Sequence, residues 1–231
     1  MVQAVIFDFD GVVADSELLH YKAMHRVVKG RGLDIPKDVH WEKYLGYTDY
    51  ENVHIVNADY GMGWDEATMA AIVAEKTEIF DRLVNEETAI IDGVVEFVRR
   101  LAEAGIPTAV CSGATRKDIV QMLRGTELAD AFGPMVTADD VTKGKPDPQG
   151  YLLALSRLNN GTGAKIEAAR CVVVEDSHWG LQAAAAAGMH RVAVTNTYAA
   201  AHLRPYAEMV VARLDAIEIA ELRLLCERGL S

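Results

Sequence analysis

The run from residue 4 to residue 16, AVIFDFDGVVADS, constrains the fold more than any other stretch of the chain. Val5, Ile6 and Phe7 follow one another with no polar interruption. A strand with one solvated face alternates apolar and polar residues, whereas an unbroken apolar run suits a strand covered on both faces, as in a parallel sheet. Asp8, Asp10 and Gly11 come directly after it. Residues i and i+2 of an extended chain point to the same side, so the two carboxylates converge just beyond the strand. Like charges this close repel unless a cation sits between them or one takes a proton. The first outcome is a hard-metal site and the second an acid/base group.

Beyond the glycine turn the pattern becomes helical and stays so to about residue 88. Leu18, Leu19, Tyr21, Ala23, Met24 and Val27 predict a helix over 15–29, stopped by Gly30 and Gly32. Further helices are expected over 38–45, over 50–60, and from Asp65 as N-cap through Met69, Ile72, Phe80 and Leu83. From Ile90 onward short apolar runs alternate with helical ones. Strands are expected near 107–111, 135–136, 171–174, 191–194 and 209–211, with helices near 94–104, 115–124, 148–158, 177–187 and 214–228. Such alternation predicts an α/β fold with a doubly wound parallel sheet, which places ligands at the carboxyl ends of its strands. The expected division is a catalytic core of residues 1–14 and 90–231 and an all-helical insertion of residues 15–89.

Other polar residues sit at expected strand ends: Ser112 in TAVCSGAT, Lys145 in KGKPDP, and Glu175 with Asp176 in CVVVEDSHWG. Alone, Ser112 is an ordinary turn residue, Lys145 a surface lysine, and the acidic pair a helix start. In order behind Asp8, Asp10, Gly11, Asp15 and Ser16, they resemble the four signatures of the haloacid dehalogenase (HAD) superfamily, most of whose members are phosphohydrolases. The resemblance covers nearly the whole chain and implies the Rossmann-like HAD core. The helical insertion is similar to the cap of the branch that holds beta-phosphoglucomutase and many small-metabolite phosphatases. The two crossings, at 14–16 and 88–92, are then hinges.

The resemblance implies Asp8 as nucleophile and Asp10 as the acid that protonates the leaving oxygen and later the base that activates water. A metaphosphate-like transition state needs positive charge around it. Lys145 and Mg²⁺ supply charge, and Ser112 with the backbone N–H groups of Gly113 and Ala114 supplies donors. The ion is expected on Asp8, the Asp10 carbonyl and Asp176, with Glu175 as a direct or outer ligand. Thr115 and Asp118 form an S/T-x-x-D cap that opens the next helix toward the phosphate.

Substrate selection is expected in the insertion. His20 matches a histidine that couples substrate engagement to proton transfer in mutase-like members, and equally reads as a structural histidine. Lys76 reads as a cation for a substrate anion or as a solvated lysine on a helix; Arg116 reads as a phosphate contact or as cover for the helix start. Trp179 is expected on the sheet edge. Beta-phosphoglucomutases carry a cap-loop arginine for the second phosphate, and the stretch Leu45, Gly46, Tyr47, Thr48, Asp49, Tyr50 has no cation. A mutase must hold a bisphosphate, so this departure favours hydrolysis, with Tyr47, Thr48 and Asp49 suited to substrate hydroxyls.

The expectation is therefore a phosphatase for a small phosphorylated metabolite, a sugar phosphate or a phosphoglycolate-like compound. A beta-phosphoglucomutase-type mutase is the alternative, and a non-catalytic metabolite sensor is the alternative of another class. Dehalogenation fits poorly, because Asp10, Glu175 and Asp176 suit a phosphorylated aspartate. A net charge of -11 over 231 residues, with no Lys/Arg run, argues against nucleic acid and anionic membranes as partners. Cys111, Cys171 and Cys226 lack paired spacing and read as reduced core thiols. The first strand begins by residue 4 and no run of about 18 apolar residues is present, so a cytoplasmic enzyme is expected, a monomer or weak homodimer.

Overall fold

The computed structural model describes residues 1–44, 47–86, 90–163 and 165–228. Chain contacts divide it into two compact units, residues 1–15 with 90–231 and residues 16–89.

The first unit is built on β1 (Ala4–Phe7), the apolar run of the opening stretch, and all four of its residues are buried. It pairs in parallel with β2 (Thr108–Cys111) on one side and β4 (Cys171–Glu175) on the other. With β3 (Met135–Val136), β5 (His190–Val194) and β6 (Met209–Val211), the order is β3-β2-β1-β4-β5-β6, parallel throughout. The strand order reverses at β1, where β2 and β4 wind away on opposite sides; such a switch point opens a crevice at the carboxyl ends. The helices of this unit are α5 (Val94–Glu103), α6 (Arg116–Leu123), α7 (Gln149–Thr162), α8 (His178–Ala186), α9 (Ala200–Leu203) and α10 (Ile219–Arg228). Ala183 and Ala184 of α8 pack with Ala4, Ile6 and Val173 of the sheet, so the alanine run serves close approach of helix to strand. Phe7 meets Phe97 and Phe132 edge-on at centroid distances of 5.9 and 5.5 Å.

Two local expectations change. The helix expected over 214–228 is a 3-10 turn, Leu214–Ala216, followed by α10, because the Glu221 carboxylate accepts from the Glu218 N–H at 2.9 Å and starts the helix there. The short α9 had no periodic signal, being under two turns long.

The second unit holds α1 (Ser16–Lys29), α2 (Lys37–Lys43), α3 (Asp49–Tyr60) and α4 (Glu66–Glu86). α1 and α3 both pack on α4. Thr48 caps α3 in a reciprocal capping box with Glu51, which uses the hydroxyl that the sequence reading offered to substrate. Leu45 and Gly46, the expected end of the second helix and start of the cap loop, lie outside the described residues, as do residues 88 and 89 of the second expected hinge.

All three cysteines are free and buried, and burial pushes the thiols of Cys111 and Cys171 up to about 12. No helix among the described residues is long and apolar enough to cross a membrane.

Candidate active site

The strand ends bring Asp8, Asp10, Ser112, Glu175 and Asp176 to one place in the first unit, and Lys145, expected at a strand end, joins them instead from the loop between the 3-10 turn Ala138–Asp140 and α7, because its long side chain spans the gap to Asp8. The Asp8 N–H donates to the Val174 carbonyl at 2.9 Å, so Asp8 still belongs to the β1–β4 ladder and its side chain is buried. The chain then closes tightly. The N–H groups of Val13 and Ala14 donate to the Phe9 carbonyl at 2.8 and 3.0 Å, and the Gly11 N–H donates to the Ala14 carbonyl at 2.8 Å. Gly11 has φ 74°, and a Cβ on it would lie 1.9 Å from Asp176 Oδ2. Both facts require glycine at this turn.

Ser112, one residue past β2, donates its hydroxyl to Asp10 Oδ2 at 3.1 Å and accepts the Ala114 N–H at 2.9 Å. The Ala114 donor is thus taken within its own turn, while Gly113 lines the cleft above the strands. Lys145 reaches in from the loop before α7, donating to Asp8 Oδ1 at 2.5 Å and to Glu175 Oε1 at 2.6 Å. Glu175 is fully buried. Its Oε1 also accepts the Tyr151 hydroxyl at 3.0 Å, and its Oε2 accepts the Asp176 N–H, the Ser177 N–H and the Ser177 hydroxyl at 3.0, 2.9 and 2.9 Å. Gly180 leaves the room this carboxylate occupies, since a Cβ there would sit 1.5 Å from Oε1.

Charge sets the character of the cluster. Burial raises the Asp8 carboxyl well above the usual range, against the pull of Lys145 and with added push from Glu175, Asp176 and Asp10. Asp176 is raised to about 7, first by burial and then by Glu175. Burial also works to raise Glu175, but Lys145 and the Ser177 donors outweigh it and leave this acid below its ordinary value. Burial lowers and the facing carboxylates raise Lys145, and the carboxylates win. One lysine does not balance this many acids. Ligand oxygens of Asp8, Glu175 and Asp176 lie within 4.8 Å of one another, an all-oxygen donor set that fits a hard divalent cation.

A cleft of about 520 Å³ opens over this cluster, lined by Asp8, Asp10, Gly113, Lys145, Ser177 and Trp179. Trp179 is half exposed at the cleft instead of packed on the sheet edge, because it stands in the first turn of α8, where that helix leaves the carboxyl end of β4. A larger hollow of about 990 Å³ at the amino ends of the strands, lined by Val98, Ile106, Phe132 and Pro134 among others, carries no cluster of three acidic or other metal-ligating groups among the described residues.

Arg116 does not line the cleft. Its guanidinium donates to the Met135 carbonyl at 2.9 Å and to Asp140 at 3.3 Å, so the structure shows it covering the edge of the sheet. Thr115 caps α6 by accepting the Asp118 N–H at 3.3 Å, as its spacing implied.

Within the second unit, Lys76 is buried instead of solvated. Its Nζ donates to Asp49 at 2.7 Å and to His20 Nδ1 at 2.6 Å, and lies 4.9 Å from the Phe80 ring centroid. The accepting imidazole is therefore neutral, with its proton on Nε2, and it stacks on Phe80 at 4.1 Å. Burial first and the Lys76 charge second lower His20 to about 4. Asp49, read from sequence as a contact for substrate hydroxyls, is committed to Lys76; Tyr47 is half exposed.

Tyr151, Asn196 and Thr197 were not singled out from sequence. The Thr197 hydroxyl donates to Asp176 Oδ2 and Asn196 Nδ2 donates to the Gly11 carbonyl at 2.8 Å. The available signal was the polar triplet TNT directly after the apolar Val192–Ala193–Val194, at a strand's carboxyl end.

Residues 5–194 match the family of haloacid dehalogenase-like hydrolases. The chain belongs to this family. It is 32% identical over 192 residues to a phosphorylated carbohydrates phosphatase of Thermotoga maritima, covering 83% of this chain and 84% of that protein. It is 28% identical over 220 residues to a validoxylamine A 7'-phosphate phosphatase of Streptomyces hygroscopicus, covering 95% and 96%. The crystal structure of a beta-phosphoglucomutase from Clostridium difficile superposes with a TM-score of 0.76 over 100% of this chain and 99% of that one, at 22% identity, a likeness of fold.

Proposed function

We propose that this hydrolase is a Mg²⁺-dependent phosphatase that removes the phosphate of a small sugar phosphate or similar metabolite through an aspartyl-phosphate on Asp8. One observation carries the reading: a buried carboxylate, Asp8, held by Lys145 at 2.5 Å, stands beside a second carboxylate, Asp10, held by the Ser112 hydroxyl at 3.1 Å. Asp8 attacks phosphorus; the bond from phosphorus to the leaving oxygen breaks as Asp10 hands that oxygen a proton. In the second half Asp10 takes a proton from water as the water oxygen attacks phosphorus, and the Asp8–phosphorus bond breaks to release phosphate and restore Asp8.

Asp8 and Asp176 of the buried acidic cluster, with the backbone carbonyl of Asp10 that the family resemblance implies, are assigned as the groups that would hold the ion, which would supply charge neutralisation for the phosphoryl oxygens. Glu175 is placed outside the ligand set, because five donors already use both of its oxygens. Its task is to keep Lys145 charged and aimed at Asp8.

Hydrolysis is preferred over phosphomutase chemistry on two grounds. The relatives named as phosphatases align over most of the chain. In the insertion, the buried cation Lys76 is already paired with Asp49, and residues 45–50 add no cation of their own. Discrimination among phosphorylated substrates is assigned to the insertion, through Tyr47 and His20, with Lys76 held in the interior by Asp49.

The test is phosphate release from a panel of sugar phosphates, phosphoglycolate and nucleotides, with Mg²⁺ or EDTA, for the wild type and Asp8→Asn. Metal-dependent release lost in the variant is expected. Isomerisation of a hexose 1-phosphate that requires added bisphosphate, with no release, would replace the reading by the mutase.

A further inference from the structure

We propose that the turn after β5 completes the metal site, with Thr197 and Asn196 as positioning residues that lock Asp176 and the Asp10–Gly11 turn together. The inference rests on the reading of the acidic cluster as metal-bearing. β4 and β5 are parallel neighbours with Glu175 opposite Ala193, so the chain leaving β5 runs on beside Asp176. Thr195 makes the last ladder bond, its N–H donating to the Val211 carbonyl at 3.0 Å. The next two residues turn toward the loop after β1.

There the Thr197 hydroxyl donates to Asp176 Oδ2, and the Asn196 amide donates to the Gly11 carbonyl at 2.8 Å. The three elements touch: a Cβ on Gly11 would lie 1.9 Å from Asp176 Oδ2 and 2.7 Å from Thr197 Oγ1. A carboxylate anchored through one oxygen cannot rotate freely about its last bond, so its other oxygen is presented in a fixed direction. Asn196 does the same for the backbone beside Asp10, whose carbonyl is an assigned ligand. Partners of this kind, which touch a ligand and not the ion, typically change metal affinity 10- to 100-fold when removed.

The test measures Mn²⁺ binding to the full chain directly, from the electron paramagnetic resonance signal of the free aqua ion, for wild type, Thr197→Val and Thr197→Ser. Circular dichroism and the melting temperature of the metal-free proteins check the fold. The valine variant keeps the shape and loses the hydroxyl; its Mn²⁺ affinity is expected to fall about 10-fold or more, with serine restoring the wild-type value. The Mg²⁺ concentration for half-maximal phosphate release should rise by the same factor, while the rate at saturating Mg²⁺ recovers. If Thr197→Val loses the wild-type dichroism spectrum, Thr197→Ala takes its place with the same expectation. Wild-type affinity in the folded hydroxyl-less variant overturns the positioning role and leaves the phosphatase standing. A wild type that binds no Mn²⁺ and releases no phosphate overturns both.

Discussion

Acidification from pH 7 to pH 5 should weaken the helical insertion, and His40 gives the magnitude. This imidazole is 5% exposed, among the rings of Tyr21, Trp41 and Tyr44 at centroid distances of 5.3, 5.6 and 5.9 Å. Burial, with a smaller push from the Lys76 charge, lowers it from 6.5 to about 4. A group whose proton affinity is lower folded than unfolded binds more protons in the unfolded chain between those two values, so stability rises with pH across that window. The contribution is present in full above about 6.5 and gone below about 4. Between pH 7 and pH 5 the loss from His40 alone comes to about 2 kcal/mol. His20, lowered to about 4 by burial and Lys76, acts in the same sense. The assay is native-state hydrogen exchange of α1 and α4 amides at the two pH values, for wild type and His40→Phe, beside an NMR titration of the imidazoles. The phenylalanine variant should lose about 2 kcal/mol less than wild type on acidification. Equal losses in the two proteins, or a His40 midpoint above about 6, would refute the argument.

Three further outcomes are expected. Lys76→Met should move the His20 midpoint upward, because the second-largest cause of its low value is removed; an unmoved NMR midpoint would contradict the Asp49–Lys76–His20 chain. Gly180→Ala should destabilise by about 1–3 kcal/mol in urea denaturation, although alanine is the better helix former, because its Cβ would stand 1.5 Å from Glu175 Oε1. A divalent ion at about 100 times its dissociation constant should raise stability by about 2.7 kcal/mol, a gain absent in Asp176→Asn if that carboxylate is a ligand.

Much of the core was legible because its signals are local. An unbroken apolar run, as in β1 and in Cys171–Val174 of β4, states that a strand is covered on both faces, and polar residues that interrupt it at one end mark the carboxyl edge. Asp8, Asp10, Ser112, Glu175 and Asp176 could be named on that basis, Lys145 only through its place in the ordered signatures, and the structure brings their side chains together. The shift from strand-length runs to helical periodicity, and back near Ile90, likewise announced a helical insertion.

What only the tertiary structure decided depends on partners distant in sequence. Helical periodicity gives the face of α4 on which Lys76 lies but not that Asp49 and His20, 27 and 56 residues away, meet it in the interior. Arg116 follows Ser112 closely in the chain, yet Asp140 draws its guanidinium away from the cleft. The sheet order sets β5 beside β4 and so carries Thr197 to Asp176; no local pattern contains that adjacency. Short-range sterics and burial write strands, helices and their ends into the sequence, while the pairing of side chains across the fold is settled by topology and by the cost of leaving a buried charge without a partner.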